Sequence, residues 1–152
     1  MQQSVGVMGA AKPGQILKGL HSNFSGFSAP TKDTSVCVGC FVQLDGKFVK
    51  GASGNAITGK IAGVVVANEY FSGVDNSNTY PANVNVFFIN KGCIAIETES
   101  DATAGQYVFL KNDNGALVFN DSDTLADHTY TGFRVVYGAS GVTDPQIIGI
   151  QA

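Results

Sequence analysis

Residues 83–98 read NVNVFFINKGCIAIET, and this stretch is the strongest indication of the fold. Its β-branched and aromatic residues predict two strands, at 83–90 and 93–98, because such side chains fit the pleated surface of a sheet. Residues 90–92, Asn-Lys-Gly, separate the two strands, and Asn and Gly accept the positive φ angles of a tight turn. The stretch therefore predicts a β-hairpin.

Similar short apolar runs recur from residue 35 to the end of the chain, separated by Gly, Asn and Asp. Further hairpin turns are expected at 44–46 and 112–115. Because the apolar spacing of a helix is missing, we predict an all-β domain, a β-sandwich or jelly-roll-like barrel of about eight or nine short antiparallel strands. The predicted strands are 35–43, 46–50, 58–67, 83–90, 93–98, 106–111, 115–119, 131–138 and 146–151.

The beginning of the chain has a different composition, in which Gly, Ala, Ser and Gln dominate and Phe24 and Phe27 are the only large aromatic residues. We expect residues 1–34 to form an extended N-terminal arm with little regular structure, which orders against a partner. Residues 35–152 are then a single β-domain, and the chain is long enough for one sizeable core.

The surface chemistry predicted from the composition favours contact with other protein chains. Charged residues make up 14% of the sequence, well below the roughly 25% of an average soluble domain. The predicted strands 83–90 and 131–138 are apolar on both faces, so a second layer, a loop or a neighbouring subunit must cover the outer face. Because so few charges protect the surface, we favour the neighbouring subunit.

The charge pattern argues against two other classes of partner. The net charge is −3, and the nine basic residues are scattered singly, which offers no electrostatic footprint for nucleic acid or for an anionic membrane. No run approaches the roughly 20 apolar residues of a membrane span, and residues 5–11 lack the basic flank of a secretory signal. Three cysteines, an odd number, fit synthesis in a reducing cytoplasm.

The segment VCVGCFV contains a Cys-x-x-Cys pair, Cys37 and Cys40. In a continuous strand these side chains would point to opposite faces with their Cα atoms about 10 Å apart, beyond the roughly 7 Å reach of a disulfide. A zinc site needs four ligands, and only Cys93, His21 and His128 could complete one. A metal site and a redox pair stay open as alternatives, but buried apolar thiols are the favoured interpretation.

Residues 54–60, GNAITGK, match the first seven positions of a phosphate-binding P-loop. The eighth position is Ile61, where a Ser or Thr hydroxyl should bind magnesium, and the following residues predict a strand rather than the required helix. We therefore expect no nucleotide and no other cofactor.

The acidic residues Glu97, Glu99 and Asp101 alternate, so an extended chain would place them on one face about 6–7 Å apart. Such spacing could suit a glycosidase pair or a calcium site, and the Asp-rich residues 121–127 could also supply oxygen ligands. A solvated strand end is the commoner cause of this pattern. We assign no catalytic, cofactor-binding or metal-binding residues.

Exposed aromatic residues are the best candidates for a functional surface. The loop at residues 70–81, YFSGVDNSNTYP, carries aromatic rings among polar turn residues, and loops of this kind are common contact sites. Together with the aromatic residues of the arm, it gives a predicted protein interface of Phe24, Phe27, Tyr70, Phe71, Tyr80 and Pro81.

Three stretches together resemble a known family: VGCFVQLDGKFVKG at 38–51, GKIAGVVVANEYFSG at 59–73, and YPANVNVFFINKGCIAIETESDATAGQYVFLKNDNGALV at 80–118. Their order of strands and Gly or Asn turns resembles that of the cement, or decoration, proteins of tailed-bacteriophage capsids. The resemblance covers about residues 35–151.

The resemblance implies a non-enzymatic structural protein of the virion, without cofactors, that binds the exterior of the capsid. It implies a homotrimer at the junctions between capsomers, where it ties neighbouring copies of the major capsid protein together and stabilises the shell. The alternative is a β-sandwich that binds carbohydrate or host, such as a fibre domain; the chain has five Tyr but no Trp for a sugar platform. An enzyme that uses Glu97 or Glu99 is the least supported hypothesis.

Overall fold

The computed structural model describes residues 11–17, 24–67 and 79–152, and every regular element in these ranges is a β-strand. No helix in the described part of the chain is long and apolar enough to cross a membrane. The strands are β1 (Ser25–Pro30), β2 (Val36–Cys37), β3 (Phe41–Asp45), β4 (Phe48–Gly51), β5 (Ile61–Val65), β6 (Thr79–Tyr80), β7 (Asn85–Lys91), β8 (Cys93–Thr98), β9 (Tyr107–Lys111), β10 (Leu117–Asn120), β11 (His128–Tyr137) and β12 (Gln146–Gln151).

Two five-stranded antiparallel sheets form a sandwich, which confirms the predicted all-β sandwich. Sheet I has the strand order β1-β7-β5-β3-β4, sheet II has the order β10-β9-β11-β12-β8, and β2 pairs with β6. The barrel alternative is wrong for the described residues because both sheets stay open. The two outer strands of sheet I are not paired as strands; Thr31, the residue after β1, forms an isolated parallel bridge with Val49 of β4.

The stretch that predicts the fold forms β7 and β8, but the predicted hairpin between them is wrong. β7 pairs with β1 and β5 in sheet I, whereas β8 pairs with β12 in sheet II. Gly92, with a φ of 115°, turns the chain from one sheet into the other. The two other predicted hairpins, β3–β4 and β9–β10, are confirmed, with Gly46 and Gly115 at positive φ in their turns.

The N-terminal arm contains more regular structure than its composition predicts. Ser25–Pro30 pairs with β7 along its whole length, so the expectation of little regular structure is wrong for this part. Residues 11–17 also lie against the sandwich: Gly14 N–H donates to Ala95 O at 2.8 Å, and Leu17 N–H donates to Cys93 O at 2.8 Å. The domain boundary at residue 34 stays a prediction.

The main core lies between the two sheets. Phe41 of sheet I and Phe133 of sheet II meet edge to face, with ring centroids 5.6 Å apart. Both rings are buried, and each contributes roughly 1.5–3 kcal/mol through the apolar surface that it removes from water. Fully buried aliphatic residues surround them, among them Val64, Ile89, Ile94, Ile96, Leu110, Ile148 and Ile150.

Parts of the outer faces of both sheets are covered by other segments of the same chain. The β2–β6 pair contributes Val36 and Tyr80 to a second cluster that covers the outer face of sheet I around Phe88. Ala11 and Leu17 form a third cluster on sheet II. Some of the apolar residues on the outer faces of the strands are therefore buried by additional segments of the same chain.

Candidate interaction surfaces

The edge of sheet I carries two of the largest exposed apolar side chains in the described residues. Phe24, immediately before β1, is 49% exposed, and Phe27 on β1 is 54% exposed. The Phe27 ring packs in a tilted arrangement against the buried Phe88 ring, with centroids 6.3 Å apart, so one side of the ring is held and the other faces solvent. We call Phe24 and Phe27 together the β1 edge.

The predicted contact loop, residues 70–81, is described only in part, and the aromatic residue in the described part is buried. Tyr70 and Phe71 lie outside the described residues. Tyr80 is 3% exposed and its hydroxyl donates to Val66 O at 3.0 Å, so its ring belongs to the core and not to an outward surface. The local sequence gave no sign of this burial because Tyr80 sits among polar turn residues. Pro81, the next residue, is exposed.

A second aromatic surface lies on the outer face of sheet II and was not predicted. Tyr130 on β11 pairs directly with Phe109 on β9, and Arg134 pairs with Tyr107. Directly paired residues of antiparallel strands share a face, so the four side chains form one patch, here called the tyrosine face. Tyr130 is 37% exposed and packs on Phe109, which is 1% exposed.

Arg134 connects the tyrosine face to the backbone at Gly105. Its guanidinium carbon lies 4.2 Å from the centroid of the Tyr107 ring. Its Nε and Nη2 groups donate to Gly105 O at 3.1 and 2.7 Å. Tyr107 in turn meets Tyr130 edge to face at 5.4 Å. Aromatic and Arg side chains that are ordered before binding lose little conformational entropy at an interface.

The border of the tyrosine face is polar and acidic. Asp121 and Asp123 are exposed beside it, and Asp121 accepts a hydrogen bond from Gln106 Nε2 at 3.2 Å. Burial raises the pKa of the Tyr130 phenol, Arg134 opposes the shift, and Tyr107 and Asp123 add to it. The hydroxyl of Tyr130 is therefore a protonated hydrogen-bond donor at neutral pH.

The segment that resembles a P-loop has no free phosphate-binding geometry. Thr58 and Gly59 N–H donate to the Oε1 atom of Gln43, at 2.8 and 3.1 Å, and Gln43 is fully buried. Strand β5 follows Lys60, as the sequence predicts, at the position where a P-loop has its helix. These amide groups stabilise a turn around a buried glutamine.

The acidic residues considered as metal ligands or catalytic groups do not form a metal-binding cluster in the described part of the chain. Glu97 and Glu99 are exposed at the wall of a groove of about 670 Å³, while the Oδ1 atom of Asp101 accepts from Val142 N–H at 2.8 Å. His128 contacts Ala126 O through Nδ1 at 2.7 Å, and His21 is outside the described residues. Within the described ranges, no three His, Cys, Asp or Glu side chains form a potential metal site.

The Cys-x-x-Cys pair adopts a geometry that the sequence analysis did not predict. Residues Val38 and Gly39 form a turn between β2 and β3, so the prediction of one continuous strand with thiols on opposite faces is wrong. Gly39 has a φ of 74°, which a strand does not allow. The pKa of Cys40 is raised to about 11, mainly by burial and in smaller part by the neighbouring Cys37 thiol.

The described residues thus form a β-sandwich with two separate aromatic surfaces, and they contain no cluster of metal-binding side chains. The chain belongs to the family of phage structural cement proteins, since the family model described as "Structural cement protein (E217 gp24/Pam3 gp6)" matches residues 1–151. It is thus a capsid-associated, capsid-stabilising protein of a phage virion. This family does not favour the alternative of a carbohydrate- or host-binding module.

A solved structure shows the same fold. A chain from "The capsid of Myoviridae Phage XM1" aligns with a TM-score of 0.66 and 14% sequence identity, covering 93% of this chain and 89% of that chain. A search of curated proteins gave no match.

Proposed function

We propose that this protein is a non-enzymatic cement that binds the outer surface of the capsid as a homotrimer and bridges neighbouring copies of the major capsid protein. The family assignment supports a role in the shell, and the similar fold in a Myoviridae phage capsid is consistent with it. The observation that carries the bridging role is the presence of two separate aromatic surfaces, one on each sheet of a single sandwich.

The two surfaces suit different partners. In a cyclic trimer the interface is heterologous, and permanent subunit interfaces are more apolar than transient ones. The β1 edge is purely aromatic, with both rings about half exposed, and we assign it to the neighbouring copy in the trimer. The adhesive role predicted for the arm, residues 1–34, is thus assigned to its exposed aromatic rings, Phe24 and Phe27.

The tyrosine face matches the composition of an interface between separately folded proteins. Tyr and Arg are enriched at the centre of such interfaces, and the border is polar. Tyr107, Tyr130 and Arg134 supply the centre, and the exposed Asp121 and Asp123 supply the border. We assign this face to the major capsid protein.

The proposed contact set keeps most of the residues that the sequence indicated. Tyr70 and Phe71 stay in it as predicted contact residues, together with the exposed Pro81. Tyr80 is left out because its ring is buried in this chain and its hydroxyl is bonded to Val66 O.

Binding to stripped capsids tests the proposal directly. The purified protein should sediment with expanded capsids in a saturable manner and should bind free major capsid subunits much more weakly, because a bridge needs two neighbouring subunits. Light scattering after size exclusion should give the mass of a trimer. A monomer that binds free subunits as tightly as capsids would contradict the proposal. A glycan array and a hydrolase screen should both be negative.

A further inference from the structure

The two cysteines of the Cys-x-x-Cys pair are the first and fourth residues of a tight turn. Val38 and Gly39 occupy its centre, and Gly39 has the positive φ, 74°, that a type II turn requires at its third position. Such a turn brings the Cα atoms of its first and last residues within about 7 Å. Disulfides bridge Cα atoms roughly 4.4–6.8 Å apart, so this turn places Cys37 and Cys40 within bonding range.

The two thiols are free, adjacent and unequally accessible. Both cysteines are reduced, and the turn places the two thiols close enough for Cys37 to raise the pKa of Cys40. Cys37 is exposed, and its Sγ lies 3.8 Å from Thr79 Oγ1. Cys40 is partly buried at the wall of the groove that also contains Glu97. An exposed thiol beside a shielded one is the arrangement of an attacking and a resolving cysteine.

We propose that Cys37 and Cys40 are an oxidation site, and that a small-molecule disulfide converts them to an intrachain disulfide after the particle leaves the reducing cytoplasm. The proposal rests on the assignment of the chain to the virion, which carries it from a reducing to an oxidising environment. The Cys93 thiol takes no part, because it is buried on the outer face of sheet II with Ala11 and Leu17.

The reaction balances with one molecule of oxidant. The Cys37 thiolate attacks one sulfur of the small-molecule disulfide, forms a mixed disulfide and releases one small thiolate. The Cys40 thiolate then attacks the Cys37 sulfur, forms the protein disulfide and releases the second small thiolate. The protons from Cys37 and Cys40 end on the two released thiols, and the two electrons from the protein reduce the oxidant.

The second step should depend strongly on pH. Burial is the largest cause of the raised pKa of Cys40, about 11, and it persists when Cys37 is in a mixed disulfide. Only the thiolate attacks, so the rate of ring closure should rise about tenfold for each pH unit between roughly 7 and 10. If Cys40 were freely accessible, the rate of ring closure would stop rising once the pH passed the ordinary pKa of a thiol.

The bond would stabilise the turn at residues 37–40, which contacts both strand β5 and the N-terminal arm. Gly39 N–H donates to Val65 O of β5 at 2.8 Å, and a Cβ atom on Gly39 would lie 2.7 Å from Pro13 Cβ, so the arm packs directly on this turn. Closing even a short loop restricts the unfolded chain. The melting temperature of the isolated protein should therefore rise by about 2–6 °C on oxidation.

The test treats the folded, reduced full-length protein with oxidised glutathione, then alkylates the remaining thiols and measures the intact mass and the peptide map. We expect one alkylated thiol, Cys93, a Cys37–Cys40 bond, and ring closure that accelerates with pH. Cys40→Ser should stop at a glutathione adduct on Cys37, and Cys93→Ser should oxidise like the wild type. The same bond should be present in virions collected after lysis.

Several outcomes would overturn the proposal: three alkylated thiols after oxidation, a stable glutathione adduct on wild-type protein up to pH 10, or a bond that forms only in denaturant. None of these would affect the cement function, because saturable binding of the reduced protein to stripped capsids is measured independently. Conversely, failure of capsid binding with a correctly formed bond would contradict the cement function and leave the thiol chemistry standing.

Discussion

Tyr130 covers Phe109 on the outer face of sheet II, with the two ring centroids 5.5 Å apart and the residues directly opposite each other on β11 and β9. Phe109 is thereby only 1% exposed, although it points away from the core between the sheets. Tyr130 keeps 37% of its surface for a partner. One side of this ring stabilises the sheet, and the other is available for binding.

Replacing Tyr130 should weaken capsid binding more than it affects folding. Tyr130→Ser removes a central aromatic anchor, and loss of such a residue typically costs 2 kcal/mol or more, or roughly a 30-fold increase in Kd for stripped capsids. Tyr130→Phe retains the ring and should bind within a few-fold of the wild type. Leu44→Ser, a change at another exposed apolar residue, is the matched control. Equal binding by Tyr130→Ser and Leu44→Ser would rule out the tyrosine face as the contact.

The β1 edge should control the oligomeric state. The double substitution Phe24→Ser and Phe27→Ser removes two half-exposed rings without disturbing the backbone pairing of β1 with β7. We expect the trimer to dissociate to monomers at micromolar concentration, as seen by light scattering, while the far-ultraviolet circular dichroism is unchanged. A double variant that remains trimeric at all concentrations would show that the trimer is held elsewhere.

Leu17 should stabilise the sandwich, although it lies in the N-terminal arm. It is 5% exposed and packs with Ala11 and Cys93 on sheet II. Leu17→Ala should lower the free energy of unfolding by about 2–4 kcal/mol, measured by denaturant titration, because it leaves a cavity in a packed cluster. Lys12→Ala, at an exposed position of the same segment, should change it by less than about 0.5 kcal/mol. If the free energy of unfolding of Leu17→Ala equalled that of the wild type, the arm would have to be detached from the sandwich in solution.

Stability should fall in alkaline solution because of the buried thiols. Burial raises the pKa of Cys93 from 9.0 to about 11, and the pKa of Cys40 is raised to a similar value. Above pH 9 the unfolded chain releases these protons while the folded chain retains them. The stabilisation is therefore complete below about pH 9 and is lost progressively as the pH rises to about 11.

Denaturant titrations at pH 8, 9, 10 and 10.5 would measure this loss. Cys93→Ala removes one titrating group and should flatten the fall, whereas Val136→Ala, in the same cluster, should keep the wild-type slope. The same slope in Cys93→Ala and Val136→Ala would show that Cys93 does not titrate in this range.

The local sequence predicted most strands but not their partners. β7 and β8 follow from their own Val, Phe and Ile residues, yet the step from one sheet to the other at Gly92 depends on contacts with β1 and β12, which are distant in sequence. β1 was missed because its residues, SGFSAP, have little strand character and are held by pairing with β7.

The residues of the candidate interaction surfaces were likewise predictable only where their role depends on local sequence and not on strand pairing. Phe24 and Phe27 could be identified because they are isolated aromatic residues in a polar segment. The tyrosine face could not, because Tyr107 and Arg134 become neighbours only through the register of β9 and β11, which contains a bulge. Tyr80 was misjudged because its burial depends on the pairing of β2 with β6.

The central claim is that the protein stabilises an assembled shell. If it binds the assembled capsid in preference to free subunits, as a bridge between subunits must, its occupancy should stabilise the assembled state by linkage. The direct measurement is the temperature at which packaged DNA is released from native particles, from stripped particles, and from stripped particles to which purified protein has been returned. Stripped particles should release DNA at a lower temperature, and added protein should restore the native value until the sites saturate. Identical release temperatures for stripped and restored particles, at verified occupancy, would contradict the cement function.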